Sequence, residues 1–345
     1  MALDPLASPN TTHACNILNS DGVLRVVRVD RNRLVLGSSA LIVFANPIGL
    51  TGFGEVRSAV VGDWVSVRND GGELLSVTGI KSRISEISRV NEHGKKEVLV
   101  ANVSVAFIVF ALDQQLNYEK IERYVALVRR SGVRAILVMT KADMVASQYG
   151  DRFCDTLLQS MHDRFDTGLQ ILIVNSNSLE ARGLLTATLT PLDTAVLLGP
   201  SGVGKSTLTN LLAGEEVALT GSTSSSTRLG RHTTTFRQLH HLPCGASLID
   251  TPGLRALLIE GGPSGVALSF PDIGSRAKEC KYRDCSHAHE PGCAVRGTVD
   301  EQRISNYNKL IRESKRLTQS RLEAEQIRAG WKRVSKGIKA RKQDS

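Results

Sequence analysis

The 345-residue chain predicts three folded parts: a small closed β-barrel, an open α/β sheet wrapped by helices, and a C-terminal helical module knotted by a metal. Three observations predict them. Short strands and turns fill residues 17–92, strand and helix patterns alternate through 97–259, and three cysteines with a histidine cluster within 260–345.

Residues 1–16 mix Pro, Ser, Thr and Asn without periodicity and read as a disordered lead-in. Val23, Arg25, Val27 and Val29 then alternate, and Leu34–Leu36 follow a polar turn. Gly62-Asp63 precedes Trp64–Arg68, and Asn69-Asp70-Gly71-Gly72 turns the chain into Glu73–Thr78. Strands of about five residues at this spacing predict a barrel that closes its own edges, of the OB (oligonucleotide-binding) type. Pattern alone leaves a barrel of another kind open. Trp64 reads as barrel core and not as a platform for a base.

From about Val98 the period changes. Val103–Ala111 is a buried strand by length and β-branching, and Tyr118–Arg130 is a helix with Ile121, Val125 and Val128 on one face. Val133–Met139 is a strand, Phe153–Phe165 a helix, and Leu169–Val174 a third strand. Ala195–Leu198 runs into Gly199-Pro200-Ser201-Gly202-Val203-Gly204-Lys205-Ser206, which fits G-x-x-x-x-G-K-[ST] at every fixed position. Thr207 follows, and Leu208, Leu211 and Leu212 carry a helix as far as Gly214. Glycines let the backbone turn its N–H groups inward on a phosphate, and the helix N-terminus adds partial positive charge. Lys205 reaches the β- and γ-phosphates in this reading, and the Ser206 hydroxyl ligates Mg²⁺. The chain binds a nucleoside triphosphate.

Two further strand ends carry matching chemistry. Thr140-Lys141-Ala142-Asp143 follows the Val133–Met139 strand, and the Asp143 carboxylate can accept two hydrogen bonds from guanine that adenine cannot offer. Lys141 can lie over the base, and Ser176 can bring a backbone N–H toward the guanine O6. Phe236–Leu242 and Ala246–Ile249 read as strands, and Asp250-Thr251-Pro252-Gly253 follows the second. There Asp250 holds Mg²⁺ through water and Gly253 meets the γ-phosphate. Ligands bind at the carboxyl ends of strands in open α/β sheets. The base reader precedes the phosphate loop, the reverse of the usual order, so the central domain is a circularly permuted α/β P-loop GTPase.

Cys280-x4-Cys285-x-His287-x5-Cys293 offers three thiols and an imidazole, a closed tetrahedral set for one structural Zn²⁺ per chain. His289 is the weaker alternative to His287. Cys15, Cys154 and Cys244 read as buried or idle thiols. Late clustering of cysteine argues against a disulfide framework, and no basic flank with an apolar run opens the chain. The longest apolar run, Val103–Leu112, is about half a membrane span. A cytoplasmic monomer without a membrane partner is expected. Lys and Arg number 43 against 34 Asp and Glu; from Lys309 onward 12 basic and 4 acidic residues leave a net +8. Nucleic acid is the natural partner for that tail.

With these residues in hand, the chain resembles the ribosome small subunit-dependent GTPase family (the RsgA, or YjeQ, type). The resemblance covers about Ile17 to Glu313. It rests on the permuted order, the phosphate loop, Gly230-Arg231-His232-Thr233-Thr234-Thr235, Asp250-Thr251-Pro252-Gly253, and Cys280 through Val295. It implies a GTP hydrolase that binds the small ribosomal subunit and its rRNA late in maturation, turns over faster there, and then leaves. Leu254 stands where many GTPases carry a water-orienting Gln, and the resemblance implies His232 as the substitute. Thr234 or Thr235 completes the Mg²⁺ shell. Thr140 stands where Asn is usual, which shortens one arm that braces the site. Two rival readings stay open: an RNA-binding assembly module with GTP as a bound switch, and an ATP-using transferase, against which Asp143 argues.

Overall fold

The structure is a computed structural model. It describes residues 22–30, 33–38, 41–46, 59–69, 75–90, 96–150, 152–165, 168–218, 237–251, 266–267 and 270–316. The lead-in, the Gly/Ser/Thr-rich segment and the tail from 317 lie outside the described residues. The chain divides into two compact units, one of Met1–Ile87, Val98–Asn117 and Ser131–Arg255, the other of Ser88–Glu97, Tyr118–Arg130 and Ala256–Ser345.

In the first unit, β1 (Gly22–Val29), β2 (Leu34–Ser38), β3 (Leu41–Asn46), β4 (Trp64–Arg68) and β5 (Leu75–Ile80) form a closed barrel. They pair in the order β1-β2-β3-β5-β4, and β4 returns to β1. Only β3–β5 is parallel. This is the expected five-stranded OB-type closure. Val26, Leu36, Ala45, Val65 and Val77 fill it. The inward residues of β1 are Leu24 and Val26; a bulge between Val26 and Arg28 then changes phase and brings Val29 inward. Trp64 overturns its expectation. It is 41% exposed, because the β4 alternation sends Val65 and Val67 into the core and Trp64 outward, with the Arg25 guanidinium 5.2 Å from its ring centre.

The remaining strands of the unit are β8 (Val105–Ala111), β9 (Arg134–Thr140), β10 (Gln170–Ile173), β11 (Thr194–Leu198), β12 (Gln238–His241) and β13 (Ser247–Asp250). Their order is β10-β9-β8-β11-β13-β12. The first five are parallel and β12 is antiparallel to β13. Strands buried on both faces need continuous apolar runs, and every residue of β8 and β11 is buried. The half of the sheet that carries the base reader comes first in sequence, which is the permutation. Beside it pack α2 (Ala142–Tyr149), α3 (Arg152–Arg164), α4 (Leu179–Thr186) and α5 (Lys205–Ala213), and Leu208 and Leu212 of α5 meet Phe107, Val109 and Leu197 in one core.

Barrel and sheet are continuous. Arg28 of β1 pairs with Gln238 of β12, making one eleven-stranded sheet. Nearby, Arg25 donates to the Asn102 carbonyl at 3.1 Å and the Thr194 hydroxyl at 2.8 Å, and burial lowers its pKa to about 10.

In the second unit, α1 (Tyr118–Arg130) is grouped with α6 (Pro271–Ala277) and α7 (residues 301–316). Ala126 joins Phe270, Ile273, Val295, Ile304 and Leu310 in its core. Arg303 donates at 2.8 Å to both Asp272 oxygens and to Glu122, which also accepts from the Asn306 amide. Arg303 and Glu122 are both buried, and a buried ion pair persists only when its remaining hydrogen-bonding capacity is met this fully. Lys309–Glu119 at 2.7 Å and Arg123–Glu313 at 2.6 Å flank the pair. Among the described residues no helix is long and apolar enough to cross a membrane. The strands β6 (Glu86–Val90) and β7 (Lys96–Ala101) form a separate two-stranded sheet.

Candidate functional site

The phosphate loop leaves β11 at Leu198 and enters α5 at Lys205. Gly199 admits no side chain, since a Cβ there would stand 2.2 Å from the Val109 carbonyl oxygen. Gly204 caps α5 at φ 92°, a left-handed position that favours glycine. The Lys205 ammonium donates to the Gly199 carbonyl at 3.0 Å and the Pro200 carbonyl at 2.5 Å, folded back over its own loop. Burial lowers its pKa, and the charge of Asp250 opposes that shift. Asp250 is the last residue of β13. Burial raises its carboxyl pKa, while Lys205 and a backbone N–H hold it down. Thr251, next in the chain, donates from its buried hydroxyl to the Leu197 carbonyl at 2.6 Å, tying the ends of β13 and β11 together.

The tetrapeptide expected to read the base, Thr140–Asp143, sits at the end of the same sheet. Thr140 closes β9, fully buried, and its hydroxyl lies 2.7 Å from the Val203 carbonyl in the phosphate loop and 3.2 Å from the Phe110 carbonyl. The arm is shorter than an asparagine's, yet it reaches the loop. Lys141 has φ 61° and donates to Asp113 at 2.6 Å. Ala142 opens α2, and Asp143 in its first turn is exposed. Ser176, after β10, is 6% exposed, and its buried hydroxyl has no partner among the described residues. A Cβ built on Gly204 would meet that oxygen at 3.5 Å and the Thr140 hydroxyl at 3.8 Å, so Ser176 and the base reader face the phosphate loop's glycine. A buried hydroxyl without a partner among the described residues, beside the phosphate loop's glycine, fits a site completed by a nucleotide. His232, Thr234, Thr235 and Gly253 lie outside the described residues.

In the second unit the ligand atoms of Cys280, Cys285, His287 and Cys293 lie within 4.8 Å of one another. His287 Nδ1 faces Cys280 Sγ at 3.6 Å and Cys293 Sγ at 3.5 Å. His289 is not in the group. Backbone N–H groups of Ala294 and Arg296 point at the Cys280 and Cys293 sulfurs, both at 3.4 Å. Glu290 braces the loop by accepting from the Ser286 hydroxyl at 2.6 Å and from the N–H groups of Ser286, Ala288 and His289. Those donors hold its carboxyl well below the usual range. Four converging soft and borderline donors with no open position fit a structural metal.

The RsgA GTPase family model matches residues 80–260. A small ribosomal subunit biogenesis GTPase RsgA of Streptomyces avermitilis is 38% identical over 329 residues, covering 91% of this chain and 86% of the relative. The chain belongs to the RsgA GTPase family. Crystal structures of YjeQ from Thermotoga maritima (TM-score 0.65, 21% identity, 85% of this chain and 98% of that one) and of YloQ, a circularly permuted GTPase (TM-score 0.62, 21% identity, 86% and 96%), share the fold. An ABC transporter model also matches residues 184–342, less than half of the chain and a range that includes the phosphate loop. The RsgA match takes in the base reader, the phosphate loop and Asp250 together.

Asp113 escaped the motifs, since its contact with Lys141 is tertiary and has no spacing signature. Thr251 and Glu290 lie inside quoted motifs, but the contact of Thr251 with Leu197 and the bracing by Glu290 did not show there. Glu290 sits within the Cys/His run, where a carboxylate three residues before Cys293 was the available signal.

Proposed function

We propose that this chain is a GTP hydrolase of small-subunit assembly, which binds the small ribosomal subunit and its rRNA in the cytoplasm and uses hydrolysis to time its release. One observation carries the reading: phosphate loop, base reader and Asp250 all stand at carboxyl ends of parallel strands in a single sheet. In this reading Asp143 and the Ser176 N–H select guanine, with Lys141 over the base and Ala142 placing Asp143. The amides of Gly199–Ser206, Thr207 at the helix start and Lys205 neutralise the phosphates. Ser206, Asp250 and Thr234 or Thr235 hold Mg²⁺, which when bound spreads the charge developing on the transferred phosphoryl group. Gly253 meets the γ-phosphate, and His232 orients the attacking water. Cys280, Cys285, His287 and Cys293 hold Zn²⁺ as a structural clamp.

GTP turnover measured with and without purified small subunits tests the proposal. Acceleration by the subunit supports it. Turnover unchanged at subunit concentrations that demonstrably bind the protein would leave GTP as a passive switch.

A further inference from the structure

A lysine stem gains little by lying over a base unless its far end is held, because ordering such a side chain costs rotamer entropy. Lys141 has its far end held. Its ammonium is 2.6 Å from an oxygen of Asp113, with both side chains about one quarter exposed (28% and 23%). The two residues come from neighbouring strand ends: β8 and β9 are parallel with Ala111 opposite Thr140, and Leu112 N–H donates to the Thr140 carbonyl at 3.0 Å. The backbone is committed as well. Lys141 holds φ 61° at the start of α2, a left-handed conformation that a lysine rarely adopts.

The strand order gives the direction. The base reader follows β9, Ser176 follows β10 and the phosphate loop follows β11, with β8 between β9 and β11. A stem anchored on Asp113 runs from the β9 end toward the β8 end, along the line a nucleotide takes from its base to its phosphates.

We propose that Asp113 is a positioning residue for guanine nucleotide binding: it fixes the Lys141 ammonium so that the lysine stem forms one wall of the base site, and so sets how long GDP stays. The proposal rests on the reading of Thr140–Asp143 as the base reader. Asp113 touches neither guanine edge and acts through Lys141, so loss of the pair weakens guanine and hypoxanthine nucleotides alike. Asp143, by contrast, tells guanine from its analogues.

The test is a double-mutant cycle on the full chain, with Asp113→Asn, Lys141→Met and both together, and Asp113→Glu as the charge-retaining control. Dissociation of fluorescent GDP is followed after a chase with unlabelled GDP, and GDP, IDP and ADP affinities and thermal midpoints are measured on the same samples. For a partly exposed pair, Asp113→Asn should speed GDP release roughly fivefold at low ionic strength, and less in about 1 M salt, where the pair is screened. The thermal midpoint should stay put, GDP and IDP should weaken in parallel, and Asp113→Glu should recover most of the loss. In the Lys141→Met background the Asp113→Asn change should add almost nothing. Unchanged release in Asp113→Asn, or an equal effect with and without Lys141, overturns the proposal while the base reader stands. A wild-type protein that holds GDP no better than ADP overturns the base reader and the proposal together.

Discussion

Replacing Thr140 by valine isolates one hydrogen bond between the base reader and the phosphate loop. Thr140 is fully buried, and its hydroxyl lies 2.7 Å from the Val203 carbonyl. Valine has nearly the same volume, so the packing survives and only the donor disappears. A buried carbonyl left without a donor costs about 1–3 kcal/mol. In the free protein the loop can shift to recover part of that. Once phosphates occupy the loop amides it cannot, so most of the loss falls on the bound state. A loss of about 1–2 kcal/mol in binding is about 5–30-fold in affinity. Thr140→Val should therefore weaken GDP binding by about that factor, measured by calorimetric titration, with the nucleotide-free thermal midpoint little changed. Thr140→Asn restores a donor and should bind close to wild type. Valine and threonine proteins with equal GDP affinity, or an asparagine variant as weak as the valine one, would refute the reasoning.

Four other outcomes follow from the same geometry. Asp143→Asn should cost GDP about 100-fold or more through two lost charge-assisted hydrogen bonds and transfer preference to xanthine nucleotides, read by competition binding. His232→Ala should keep GTP affinity and lose the turnover stimulated by small subunits; unaltered stimulation would remove His232 from the reaction. Burial outweighs Lys205 at Asp250 and raises its carboxyl pKa, so the folded state holds that proton more tightly than the unfolded chain. The stability this gives is complete below the ordinary carboxylate pKa and is lost as pH rises through the raised value. Asp250→Asn should consequently raise the thermal midpoint of nucleotide-free protein at neutral pH, with the gap closing in acid, while Mg²⁺-dependent turnover collapses. Chelation should release about one zinc per chain and cost the far-ultraviolet helical signal of α6 and α7, because folding of such a module and metal binding are linked.

Much of this was legible because it is local. The phosphate loop, base reader and Cys/His run each declare themselves within fifteen residues, and the strands before them show as short apolar runs. The barrel order was inferable only as a type: β3, Leu-Ile-Val-Phe-Ala-Asn, went unmarked because a nearly continuous apolar run shows no alternation. Trp64 was misplaced because ring size outweighed parity, although Val65 and Val67 already claimed the inward positions. Glu122 could not be read at all. A carboxylate on a helical face looks like solvated surface until Arg303, 181 residues later, arrives beside it. The Thr140 arm was legible as a shortened brace, but its partner was not, since that is a backbone carbonyl 63 residues away.

The interleaving of α1 has a practical consequence. The chain leaves the sheet after Asn117, contributes thirteen residues to the other unit, and returns at Ser131 to build the strand that ends in the base reader. No single cut can therefore yield both halves intact. A fragment ending near Arg255 would carry α1 stripped of Phe270, Ile304 and Arg303, with Ala126 and Glu122 laid bare. Such a fragment should be sticky and poorly behaved even though every nucleotide motif is present, and dissection of this protein calls for substitution within the full-length chain instead of truncation.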